Sequence, residues 1–261
     1  MRAPTMRMTM TTEMAGLYRL LAWASPAFPI GAFSYSHGLE VAAADGTVCD
    51  RVTLKSWIVA IVRHGSGRVD ADILRDAWRA ASAGDDAAGA EANRQGAAYR
   101  ATAELALESS QQGAAFLAAY QAAWENPNPN PLSLAGEGIG NRTNAPPPPQ
   151  AGEGRGGGIS DSDICHAAVF GAASARVGIA LADALTAYLQ AFAANLMSAG
   201  LRLGIVGQND GQRILAALEP VVAASVEAAL ARHPEDFGAA TFAADLASMA
   251  HETQYTRLFR S

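Results

Sequence analysis

Large apolar residues return every three or four positions along most of this chain, which is the spacing of one face of an α-helix. Leu17, Leu20, Leu21 and Ala24 fall at i, i+3, i+4 and i+7, with Thr12 placed to cap the helix they predict. Leu54, Trp57, Ile58, Ile61 and Val62 repeat the pattern from Asp50, and Gly65-Ser66-Gly67 ends it. A third helix is expected from Asp70 through Leu74 and Trp78 to Gly84. Another carries Leu181, Leu185, Tyr188, Leu189, Phe192 and Leu196 on one stripe. The stretch from Ile214 to Leu230 contains Pro220, whose missing N–H and bulky ring predict a kink or a split. A last helix is predicted over Ala239 to Leu258. Period-two alternation is missing, so no sheet is expected. The pattern predicts an all-α fold, a single-domain bundle spanning residues 1–261 around a long central helix.

Residues 126–160 interrupt that pattern with alternating Asn-Pro, a Pro146–Pro149 run and two copies of Ala-Gly-Glu-Gly. Such a stretch has too few large apolar side chains to offset its ordering entropy, so a disordered insertion between helices is expected.

Composition narrows the function. Half the residues are hydrophobic, but alanine supplies much of that fraction, so the core should consist of closely approaching helices. A net charge of -6 argues against nucleic-acid binding, which needs a basic face. Cys49 and Cys165 are far apart and form no CxxC pair, which argues against a disulfide framework or zinc module. No apolar run is expected to reach the ~20 residues of a membrane span. Arg2 and Arg7 interrupt the first residues, unlike a signal peptide, so a cytoplasmic location is expected. With Lys55 the only lysine, no GxxxxGK[ST] phosphate loop exists, and nucleotide hydrolysis would belong to another protein.

Three segments carry candidate chemistry. Ser25 to Phe33 is a stiff connection that presents Phe28 and Phe33 around Pro29 and Gly31, either buried or as a contact surface. Tyr35 follows, and Ser34 or Ser36 beside His37 and Glu40 leaves a helical hydrolase open. No GxSxG elbow supports it, and the same serines suit a cap for the helix carrying Leu39 and Val41. After Arg202, glycines break the helix, and Gly207, Gln208, Asp210, Gly211 and Gln212 form either a recognition loop or a connection capped by Asp210. The five histidines are scattered and Cys165-His166 reads as core packing, so no tight metal site is expected, while transient handling of a soft divalent ion in an oligomer stays open. The final residues place Tyr255, Leu258 and Phe259 among Arg257 and Arg260, side-chain types that anchor interfaces. Burying three large apolar side chains yields roughly 1.5–3 kcal/mol each, against about 1–2 kcal/mol per ordered residue. That estimate predicts a segment that orders against a partner; a last turn packed on its own core is the alternative.

Together these segments resemble the UreF family of urease accessory proteins. Ser25–Glu40 is similar to that family's SPxxPxGxFSYSxGLE signature, Gly207–Gln212 to its GQxxGQ stretch, and Ala247–Ser261 to its ASMxHETQYSRLFRS ending. Thr102-Ala103-Glu104-Leu105 matches a further family position, and the likeness covers the chain apart from about residues 126–160. The resemblance implies an all-α protein that forms a homodimer and is not itself an enzyme. It implies binding to UreD (UreH in some organisms), recruitment of the GTPase UreG and docking on urease apoprotein. Nickel and GTP would be handled by those partners, with no cofactor held stably here. The family's partner-binding regions map to Tyr255, Arg257, Leu258, Phe259 and Arg260, and to Arg202, Gly207, Gln208, Asp210, Gly211 and Gln212. Many relatives have proline where Ile205 stands, which implies a less rigid connection in this chain.

Overall fold

The computed structural model describes residues 11–125 and 164–260. Residues 126–160, where an insertion is expected, therefore lie outside the described residues. The elements in order are α1 (Thr12–Trp23), α2 (Leu39–Ala44), α3 (Arg51–His64), α4 (Ser66–Ala83), α5 (Asp86–Ala98), α6 (Ala103–Ala123), α7 (His166–Arg176), α8 (Leu181–Arg202), α9 (Gln208–Ala231) and α10 (Phe242–His251). Single 3-10 turns occupy Ala32–Ser34 and Pro234–Asp236, and there is no strand among the described residues. The fold is all-α.

The α3 stripe buries as its spacing predicts: Leu54, Trp57, Ile58, Ile61 and Val62 all face inward. Asp50 starts that helix through a reciprocal capping box with Thr53. Other boundaries move. Thr11 rather than Thr12 caps α1, accepting from the Met14 amide. The buried side of α1 is Gly16, Leu20 and Trp23, which leaves Leu17 and Leu21 exposed beside Met14 and Tyr18. One residue, Gly65, separates α3 from α4, so α4 starts at Ser66 instead of Asp70. The predicted last helix shortens to Phe242–His251.

Pro220 neither splits nor ends α9, which runs unbroken from Gln208 to Ala231. Its ring lies on the exposed side, while Gly211, Ile214, Leu218, Val222 and Val226 hold the other face inward. That burial outweighs the roughly 3 kcal/mol that an interior proline costs. This helix is also long and apolar enough to cross a membrane by length and composition, against the expectation of no such run. Alanine makes it so, and its buried stripe packs on α3, α4 and α8.

Two core clusters meet along α8. Trp23 sits in the first, with Phe116, Tyr120, Trp124 and Phe170 edge-on around its ring at 5.6–6.1 Å. Ala184, Leu185 and Leu189 of α8 join that cluster, whereas Ala193, Leu196 and Met197 join the second, with α2, α3, α9 and Phe259. The long central helix expected from the pattern is α8. Close helix approach is visible where α7 crosses α4: a Cβ on Gly171 would lie 2.4 Å from the Leu74 carbonyl oxygen. Gly171→Val is therefore expected to cost about 1–3 kcal/mol, read as a lowered urea midpoint at unchanged slope.

Candidate functional site

The sequence from Ser25 to Glu40 folds as a series of tight turns that end in a buried carboxylate. Ser25 Oγ accepts from the Ala27 amide, Gly31 takes the left-handed conformation, and Phe28 packs against Phe116 at 5.2 Å. Phe33 stays exposed, as does Pro29. Tyr35 is buried, and its hydroxyl donates to Gln111 Oε1 at 2.6 Å. His37 and Gly38 both adopt positive φ, which turns the chain sharply into α2. A Cβ on Gly38 would lie 2.7 Å from the Ser248 amide nitrogen, so the turn brings α2 directly against α10.

The final segment packs on this chain's own body, contrary to the estimate made from apolar burial. Glu40 Oε1 accepts from the Leu258 amide at 2.7 Å, and Oε2 accepts from the Phe259 amide at 2.9 Å. His251 is wholly buried between two carboxylates, with Nε2 3.1 Å from Glu40 and Nδ1 2.8 Å from Glu104. Both contacts are hydrogen bonds only if the trio holds one proton beyond the neutral ring, since ionised carboxylates only accept. Glu104 also takes Arg257 Nη1 at 2.7 Å. Burial pushes the Glu104 carboxyl up, and His251 and Arg257 pull against that shift. The apolar estimate omitted these charge-assisted bonds, each worth about 1.5–3 kcal/mol.

Arg202 closes the assembly. Its Nη1 donates to the Phe33 carbonyl, and its guanidinium lies 4.4 Å from the centre of the Phe259 ring. The Arg260 amide donates to the Ser34 carbonyl at 2.7 Å, and Asn195 Nδ2 donates to the Ala32 carbonyl at 2.8 Å. Three regions distant in sequence thus share one surface. Phe259 is only 4% exposed, while Tyr255 is fully exposed and Leu258 mostly so. Along α10, Phe242, Leu246 and Met249 form a further exposed apolar stripe at i, i+4 and i+7.

The other predicted site residues lie differently. Gly207 is the N-cap of α9, so Gln208, Asp210, Gly211 and Gln212 belong to its first turns and not to an extended loop. Asp210 is no cap; it contacts Arg213 at 2.9 Å and Arg51 at 3.6 Å. Gly211 is buried because a Cβ there would lie 2.7 Å from Met197 Sδ, which lets α9 approach α8. Among the described residues, none of these five hydrogen-bonds the final segment.

A hydrolase built on Ser34, Ser36, His37 and Glu40 does not fit. His37 is committed to Glu108 at 3.1 Å and Ser66 Oγ at 3.2 Å. Glu40 is committed to the final segment, and Ser36 Oγ accepts from the Glu40 amide at 3.4 Å. Gly38, not a serine, occupies the α2 N-cap.

Behind Phe28 lies a cavity of about 260 Å³ that reaches His37, Glu108, Arg100 and His166. Arg100 pairs with Asp70 at 2.7 Å, and the Tyr188 hydroxyl donates to Asp70 at 2.9 Å. Cys165 is buried with Arg100 Nη2 3.1 Å from its sulfur, and no group of three metal-ligating side chains occurs among the described residues. Burial drives His166 down to about 4, with Asp70 opposing and Arg100 reinforcing that shift. Because the folded value is depressed, its neutral form stabilises the fold fully above about pH 6.5, and that stability is lost as pH falls toward 4. Between pH 7 and pH 5 the loss is about 2 kcal/mol at 1.36 kcal/mol per unit. His166→Asn, which does not titrate, should flatten that part of a urea-unfolding pH series.

The distant segments of this all-helical body converge on one apolar, arginine-rich surface. The UreF family profile matches residues 48–219. The chain is 44% identical to the urease accessory protein UreF of Granulibacter bethesdensis over 253 residues, covering 97% of each chain. It is 44% identical to the UreF of Rhodopseudomonas palustris strain HaA2, covering 95% of this chain and 94% of the relative. The UreF of Mesorhizobium japonicum is 40% identical, with 97% and 100% covered. The chain belongs to the UreF family, a family of accessory proteins rather than enzymes.

Proposed function

We propose that this chain is a urease accessory protein that acts by binding. Its exposed Tyr255, Leu258, Arg257 and Arg260, set beside the apolar stripe of α10, form the face that UreD grips. Arg202 and the first turns of α9, with Gln208, Asp210 and Gln212 outward, contribute to the surface that recruits UreG. A homodimer of this chain in the cytoplasm then carries these partners to urease apoprotein, where nickel is inserted at the expense of GTP hydrolysed by UreG. The chain itself holds neither nickel nor GTP stably.

One observation carries this reading: Glu40 and Glu104, with His251 between them, hold the final segment through the Leu258 and Phe259 amides and Arg257, while Tyr255 and Leu258 stay exposed. Such an arrangement spends buried polar groups on presenting a rigid aromatic and arginine surface, which suits recognition. The test is nickel content of urease purified from cells expressing the urease operon with and without this gene. Strongly reduced metal without it supports the proposal; equal loading overturns it.

A further inference from the structure

The clasp on the final segment asks more of His251 than a neutral ring can give. His251, wholly buried at the end of α10, has Nε2 3.1 Å from Glu40 Oε2 and Nδ1 2.8 Å from Glu104 Oε2. A neutral imidazole carries one N–H, and an ionised carboxylate has no hydrogen to give. With the ring neutral and both carboxylates ionised, one of these contacts would set a nitrogen lone pair against a carboxylate oxygen. Away from water that opposition is costly, because neither group can turn to solvent. One added proton, on the ring or on a carboxyl, makes both contacts hydrogen bonds.

The surrounding charges lead to the same count. Glu40 of α2 and Glu104 of α6 have side chains only 10% and 11% exposed. Among the described residues Arg257 is the one guanidinium paired with either of them, at 2.7 Å from Glu104 Oε1. Glu252 is exposed, accepts from the Ala103 amide at 3.0 Å and adds negative charge beside Glu104. Thr102 and Ser248, hydrogen-bonded to each other at 2.9 Å, are neutral. Arg202 is held at the Phe33 carbonyl and the Phe259 ring, and His37, at the turn into α2, is paired with Glu108. Two largely buried carboxylates are thus balanced by Arg257 and one further positive charge, which the added proton supplies.

We propose that this trio is a proton-operated latch: the final segment stays clasped while Glu40, His251 and Glu104 share the added proton, and is released as rising pH removes it. The clasped form binds one proton more than the open form, in which a solvated histidine is neutral above about pH 6.5 and both carboxylates are ionised. Clasping therefore weakens by up to about tenfold for each pH unit above that value, until the clasped trio has lost its proton too. Burial, which pushes the Glu104 carboxyl up, acts in the same direction. The consequence for binding rests on the reading of this segment as the face that UreD grips, which the latch would present at lower pH and withdraw in alkali. The latch itself does not rest on it.

Amide exchange of Leu258 and Phe259 in the isolated full chain, corrected for the intrinsic rate at each pH, tests the latch between about pH 6 and pH 9. Protection of both amides should fall about tenfold or more over that range, while α8 amides such as Leu189 keep theirs. In Glu104→Gln the side-chain amide can donate to a neutral ring, so both contacts are met without the added proton; protection there should stay within about threefold. The carbon-bound ring proton signal of His251 in the parent chain should move over the same pH span in which protection falls. That coincidence decides the matter if Glu104→Gln does not clasp at all. UreD affinity should fall in step; a segment that opens while UreD binding holds supports the latch and overturns the placement of UreD on this face. Flat protection in the parent chain, an equally steep fall in Glu104→Gln, or a His251 ring signal that stays still while protection falls overturns the proposal.

Discussion

Replacing Glu40 with alanine should free the final segment while leaving the helical body folded. One side chain, 10% exposed, accepts from the Leu258 and Phe259 amides and from His251. Its loss strands two amides and leaves His251 Nε2 without its carboxylate partner. Removing one member of a buried charge network of this kind costs about 3–5 kcal/mol. Residues 252–260 contain no helix and rest on few buried side chains, so their local opening should absorb that cost before the core does. Trypsin should then cut after Arg257 much faster than in the parent chain, with the far-UV circular dichroism nearly unchanged. Glu40→Gln keeps one acceptor oxygen and should fall between the two. Unchanged cleavage in the alanine variant would show that Glu40 does not hold the segment.

Truncation after Gln254 should abolish UreD binding, by about 100-fold or more, because it removes the exposed anchors together with the Phe259 plug. Aromatic and arginine anchors carry most of an interface's energy, at about 2 kcal/mol or more each. The deleted residues are non-helical, so helical content should hardly change. Phe259 fills part of the second core, however, and its removal also loosens Arg202 and Phe33. Tyr255→Ala separates the two effects, since that side chain is fully exposed and supports nothing in the chain itself. It should weaken UreD binding about 10-fold or more at unchanged thermal midpoint. Binding within a few-fold of the parent in the truncated chain would remove the final segment from the interface.

How much of this was legible in the sequence depended on side-chain size. The stripes of α3 and α8 could be read because leucine, isoleucine and tryptophan mark one face strongly. The pattern does not resolve α5, α6 and α7 as separate elements, since alanine and glycine blur the contrast between their faces. Caps were the available signal: Asp85 accepts from the Ala88 amide and Thr102 from the Leu105 amide. On α1 the apolar residues outnumber the buried positions, so spacing alone chose the wrong face. The Ser25–Glu40 segment and the final residues stood out individually, but their contact did not. Glu40 and His251 are 211 positions apart, and no local pattern announces that a carboxylate will serve distant amides. His37 and Glu40 are neighbours in sequence, as a catalytic pair would be, whereas the fold sends one to α6 and the other to the final segment.

Residue-resolved amide hydrogen exchange on the isolated chain tests the central claim most directly. The Leu258 and Phe259 amides should be protected without any partner present, and that protection should vanish in Glu40→Ala. Exchange of both amides in the parent chain as fast as at Tyr255, slowing only once UreD is added, would contradict a preassembled face.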